Sequence, residues 1–169
     1  MIPKTLTIIE RQTLANQFRI LAKIYYDDSF MTKAEIVENG YTGRYYDVFN
    51  VEPEEVPLEI CEETEKILNM YRRINNAIAR LQSEEKESLD LEKIEFKGFD
   101  ANNDPHYHYM TFMVEKMGLW EEYKGHYLNS HSQAPLMKYR RMLKYQKELL
   151  DRKKYELDID DLKHMIEIA

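Results

Sequence analysis

The stretch from Leu58 to about Gln82 constrains this chain more than any other part of it. Ile60, Ile67, Tyr71, Ile74 and Ile78 recur three, four or seven positions apart. At 100° per residue they share one face, flanked by Thr64, Leu68 and Leu81. Glu62, Lys66, Arg73 and Arg80 fall on the other side. A helix of roughly seven turns with so long an apolar stripe has to bury it against other elements. The remaining sequence therefore has to supply those partners.

It supplies mostly further helices. Thr7-Ile8-Ile9-Glu10 has the spacing of a capping box, in which hydroxyl and carboxylate each satisfy a free backbone N–H. From there Leu14, Phe18, Leu21, Ala22 and Tyr25 form one stripe, and Ile9, Ile20 and Ile24 a second on another side. The core is the expected place for that second stripe, with a partner subunit as the alternative. Thr32-Lys33-Ala34-Glu35 repeats the capping-box spacing and predicts a short helix stopped at Asn39-Gly40, followed by a brief helix over Gly43–Phe49. After the acidic, proline-punctuated Val51–Pro57 comes the long helix. The charged segment Ser83–Lys93 reads as an exposed linker, and Ile94–Phe99 alternates like a short extended piece. Asn103 or Asp104, with Pro105 behind it, opens a helix that ends before Gly118. Pro135 opens another to about Leu150, burying Leu136, Tyr139, Met142, Leu143, Gln146, Leu149 and Leu150. Asp158 caps the last, which carries Leu162, Met165 and Ile166. The expectation is an all-α, single-domain orthogonal bundle of about seven helices over residues 1–169, with one short extended segment near Ile94–Phe99.

Composition excludes several function classes. In 169 residues, 24 basic side chains stand against 31 acidic ones, a net charge of −7 that disfavours broad binding to nucleic acid or anionic membranes. One cysteine, Cys61, leaves no disulfide framework and no zinc site built on two thiolates. Met1–Tyr25 lacks the charged-then-apolar order of a signal segment, and no run of 18 apolar residues occurs. The expected setting is a reducing cytoplasm, away from the membrane. Gly-rich phosphate loops, His-Glu-x-x-His, Cys-x-x-Cys and Gly-x-Ser-x-Gly patterns do not occur, so no cofactor is expected.

Charge and histidine clusters remain. Glu52–Lys66 holds seven acidic residues and one basic, and the acids near the start of the long helix oppose its dipole favourably. Lys138–Lys154 holds eight basic residues and two acidic. Its Arg140, Arg141, Lys144 and Lys147 lie opposite the buried stripe and make a basic face. That face suits an acidic protein partner, nucleic acid, or the acidic block of the same or another subunit. Five histidines fall late: His106, His108, His126, His131 and His164. His106 sits among Met110, Met113 and Met117 and reads as a core residue. His126 and His131 lie in the loop before Pro135, where Asp104 would complete an alternative metal set and Asp100 an acid–base pair with His131. Helices at 33–49 could mimic a DNA-reading helix-turn-helix, although that segment's own charge of −1 (Lys33 and Arg44 against Glu35, Glu38 and Asp47) opposes the role.

Seven stretches, in order and covering almost the whole chain, resemble the YfbU-like family of bacterial proteins. They are Leu6–Leu21, Ile36–Tyr41 (IVENGY), Leu58–Tyr71, Phe96–Asn103 (FKGFDANN), Phe112–Val114, Asn129–Leu143 (NSHSQAPLMKYRRML) and Leu157–Ile166. The resemblance implies an all-helical soluble protein and brings no reaction or catalytic residue with it. Gly98-Phe99-Asp100 and Asn129-Ser130-His131 carry the resemblance in residues that are not core types. The Ser83–Lys93 segment and Tyr107–Tyr109 depart from it.

Taken together, the favoured reading is a cytosolic, homo-oligomeric interaction protein that works by surface complementarity, binding through Asn129, Arg140, Arg141, Lys144 and Lys147. The alternatives are a small hydrolase or nucleotide-handling protein, with its site near Asp100, His126, His131 and Arg140, and a DNA-binding regulator acting through 33–49.

Overall fold

The computed structural model describes residues 2–49, 51 and 54–169. Among these, eight α-helices and three short 3-10 turns make up the regular structure, with one isolated bridge and no sheet. The fold is all-α. The chain forms two compact units, Met1–Glu55 and Val56–Ala169. The proline-punctuated stretch at 51–57 has the length of an ordinary connection, so nothing in its composition announces the division. Glu52 and Pro53 of that acidic stretch lie outside the described residues.

In the first unit, α1 (Ile8–Tyr25) begins at the expected capping box: the Glu10 N–H donates to Thr7 Oγ1 and the Thr7 N–H to Glu10 Oε2 at 2.7 Å. It packs against α2 (Ser29–Asn39), and α3 (Tyr45–Val48) closes the unit. Ala15, Ala34, Ile36, Val37, Tyr45 and Val48 form the core, with Leu6, Leu14, Phe18 and Phe49 packed around it. Gly40 ends α2 at φ +67°, and a Cβ there would sit 2.8 Å from Arg11 Nη1. Arg19 reaches from α1 to Glu38 at 2.5 Å. Helix α2 starts three residues before the predicted Thr32, because Asp27 Oδ1 accepts the Ser29 N–H at 2.8 Å. The second apolar stripe of α1 departs most from expectation. Ile9, Ile20 and Ile24 are 78%, 57% and 61% exposed. A helix paired with one neighbour can bury only one of two stripes, and α2 takes the one carrying Leu14 and Phe18.

In the second unit, α4 (Leu58–Arg80) is the central element, and its predicted stripe is buried through Ile67, Tyr71 and Ile74. It packs against α6 (Pro105–Glu115) and α7 (Ala134–Asp151), and α8 (Ile159–Ile168) packs against α7. Tyr71, Phe96, Phe99 and Tyr139 form an aromatic cluster with ring centroids 4.9–5.9 Å apart. Arg73, expected on the solvent side, donates to Gln146 Oε1 at 2.6 Å and to the carbonyls of Lys154 and Tyr155, tying α4 to the turn before α8.

Two expectations are corrected. The 83–93 segment is not a plain linker. It holds α5 (Ser83–Glu87), opened by a Gln82–Glu85 capping box, and a 3-10 turn at Leu91–Ile94. Leu89 and Leu91 anchor it to the core, which a purely charged reading overlooks. The Ile94–Phe99 piece leaves the 3-10 turn in extended geometry at Glu95, as expected, and its only pairing among the described residues is the parallel bridge between Phe99 and Asn129. Leu150, expected in the buried face of α7, is exposed.

Candidate functional site

Two loops of the second unit meet at that bridge. The Phe99 N–H donates to the Leu128 carbonyl at 3.2 Å and the Ser130 N–H to the Phe99 carbonyl at 3.0 Å. Gly98 makes the approach possible. At φ +80° a Cβ there would lie 1.8 Å from the Leu128 oxygen, a distance no side chain tolerates. Tyr139 on α7 clamps the same turn, donating to the Gly98 carbonyl and accepting from the Lys97 N–H, both at 3.0 Å. Asn129 joins the loops, its Oδ1 accepting from Ala101 N–H at 3.1 Å and His131 N–H at 3.0 Å. Four of the expected residues, Asp100, Asp104, Asn129 and His131, are therefore brought into one cluster.

Their functional groups are nonetheless occupied. Asp100 is buried and accepts from the Asn103 amide at 2.7 Å and the Asn102 N–H at 2.9 Å, bonds that hold its carboxyl below the usual range. The buried Asp104 stands at the N-cap of α6 but makes no side-chain cap there; its Oδ2 accepts the Asp100 N–H at 3.1 Å instead. His131, at φ +52°, turns its Nε2 to the Tyr127 hydroxyl at 2.8 Å. Ser130 Oγ donates to the Ser132 carbonyl, so no neighbouring base activates it as a nucleophile.

Beside this cluster lies a charge network that joins the acidic and basic blocks, although their spacing did not single out its members. Arg140 grips Glu63 with two parallel bonds, Nε to Oε1 at 2.9 Å and Nη2 to Oε2 at 2.8 Å. His106 Nε2 lies 2.8 Å from the same Oε2, and its ring stacks on Phe99 with centroids 5.2 Å apart. His106 is 1% exposed, and its Nδ1 has no partner among the described residues. The Arg140 guanidinium, with a smaller contribution from His106, holds the Glu63 carboxyl below its ordinary value against the opposing effect of burial. Glu63 belongs to the predicted acidic block and Arg140 to the basic one, so the two blocks meet within one chain. Arg141 is spent as well, donating to the carbonyls of Ile168 and Ala169 at 2.8 and 2.6 Å. Lys144 and Lys147 stay at the surface, beside a hollow of about 480 Å³ floored by Leu143 and Leu150.

A concavity of about 700 Å³ is lined by Asn75, Lys97, Glu122, Tyr123, His126 and Asn129 among others. Its charges are mostly paired. Arg72 holds Glu122 through two bonds at 2.6 and 2.9 Å, and Lys97 contacts Glu95. Burial raises the Tyr123 phenol to about 12, so it stays protonated. His126 alone among the expected acid–base residues opens into this cleft. Asp100, Arg140 and His131 do not line it. No group of three His, Cys, Asp or Glu among the described residues has the geometry to hold a metal ion, so Asp104, His126 and His131 do not form the alternative ligand set. For the DNA reading, α3 is a single turn with Tyr45 and Val48 buried, and 33–49 offers no second helix long enough to enter a groove. No helix of the described residues is long and apolar enough to cross a membrane.

A family profile matches the chain along nearly its full length. The family profile described as YfbU domain matches residues 4–168, running through both compact units and both loops of the Phe99–Asn129 junction. The chain belongs to the YfbU family.

Proposed function

We propose that this protein is a non-catalytic interaction module that self-associates through its first unit. The observation that carries the reading is the exposed second stripe of α1. Three isoleucines on one helix face are more than half exposed, while the opposite stripe packs on α2. Exposed apolar side chains arranged along one helix face mark association surfaces, whereas scattered ones need no explanation. The state of the ionisable groups supports the same reading. Glu63, Asp100, Asp104, Arg140 and Arg141 are tied to neighbouring side chains or to backbone, and of the expected acid–base residues only His126 opens into the cleft.

Light scattering of the full chain at micromolar concentration tests this. An assembly that persists from low to high salt is expected, because apolar contact is not screened. A monomer under both conditions overturns the proposal. An assembly that dissolves in salt would instead assign association to the charged faces of α7.

A further inference from the structure

The exposed face of α1 carries a pair of amides at its centre and isoleucines towards both ends. Ile9 and Ile24, Thr13 and Ile20, Asn16 and Gln17 are equidistant from a point between residues 16 and 17, and all six are exposed. On a helical wheel they fall within an arc of about 100°. Across a two-fold axis at that point, residue i of one copy meets residue j of the other while j meets i. Resting on the self-association reading, we infer that the partner of α1 is α1 of a second copy, packed antiparallel across a two-fold axis beside Asn16 and Gln17. Ile9 then packs on Ile24 of the other copy, Ile20 on its Thr13, and the amides meet at the centre.

Charge selects the direction. Helix α1 carries Glu10 in its first turn and Lys23 in its last. Antiparallel packing sets each acidic end beside a basic end and opposes the two helix dipoles. Parallel packing sets Glu10 level with Glu10 and Lys23 with Lys23, which is repulsive. No charged residue stands on the central strip between Ile9 and Ile24, so close approach strands no ion.

Cross-linking on a Cys61→Ser background distinguishes the arrangements. The two copies of residue 16 face each other beside the axis, so Asn16→Cys is expected to give disulfide-linked dimers under mild oxidation. The two copies of residue 9 are about 22 Å apart, fifteen residues of helical rise, and beyond disulfide reach. Ile9→Cys alone is expected to stay unlinked, yet to link when mixed with Ile24→Cys. Ile20→Glu should dissolve the assembly with its helical circular dichroism unchanged. If scattering shows a dimer but Ile9→Cys links to itself and Asn16→Cys does not, the antiparallel pairing is overturned while self-association stands. If the unmodified chain is a monomer, the broader reading falls as well.

Discussion

Glu63 ties three helices of the second unit together. Both its oxygens are filled, by a guanidinium on α7 and an imidazole on α6. Removing the carboxylate leaves a part-buried Arg140 facing a buried histidine, so Glu63→Gln should lower stability by about 1–3 kcal/mol in urea unfolding. Arg140→Lys should recover only part of the native value, because an ammonium cannot make two parallel bonds to one carboxylate. The pH dependence has a definite sign. Glu63 titrates lower in the folded chain than in the unfolded one, mainly because Arg140 bonds its charged form. Its stabilising contribution is therefore complete above the ordinary carboxylate range and disappears as pH falls through the lowered value. Below about pH 5 the urea midpoint should fall less steeply in Glu63→Gln than in the unmodified chain. A sharper demand sits at Gly98, where positive φ and the Leu128 oxygen leave no room for a methyl group. Gly98→Ala should cost more than about 2 kcal/mol in the same assay, far above a typical surface change.

At the scale of elements, local chemistry was readable where it is self-contained. The Thr7–Glu10 box opens α1, and Asp158 opens α8 by accepting the N–H groups of Asp160 and Asp161 at 3.1 and 3.0 Å. Asp158→Ala should therefore lower stability by about 1 kcal/mol, seen as a shift of the thermal midpoint. The long α4 stripe likewise reports its own burial, since 3.6-residue periodicity is local. What could not be read depends on competition or distance. Thr32-Lys33-Ala34-Glu35 has capping-box spacing, yet Asp27 claims the start of α2 earlier. Ser83–Glu87 hides a turn of helix behind its charge because the anchoring leucines lie at 89 and 91. The Glu63–Arg140 pair spans 77 residues, and no spacing rule reaches that far; the opposed acidic and basic blocks were the only signal. Ile9, Ile20 and Ile24 were visible as a stripe, but only the packing of α1 on α2 decides which of its two stripes is left uncovered.

At the scale of the whole molecule, the two units differ in what they can bury. Of the described residues, the second unit has a core of twenty-one buried side chains, including Trp120 and five aromatic residues of Phe and Tyr type. The first has six, two of them alanines. A unit of 55 residues is near the size at which folding alone becomes marginal. Covering Ile9, Ile20 and Ile24 with a second copy adds apolar burial where that core is thinnest, so association and folding of the first unit should be linked. Residues 56–169 expressed alone should then melt cooperatively at a midpoint independent of concentration. In the full chain, the transition of the first unit should rise with protein concentration. For a dimer each tenfold increase is worth about 0.7 kcal/mol per chain, or about 3–5 °C for a unit this small. Ile20→Glu should abolish that dependence and leave the transition of the second unit where it was. A concentration-independent first transition in the unmodified chain would mean that its small core suffices alone, and the exposed isoleucines would then need another explanation.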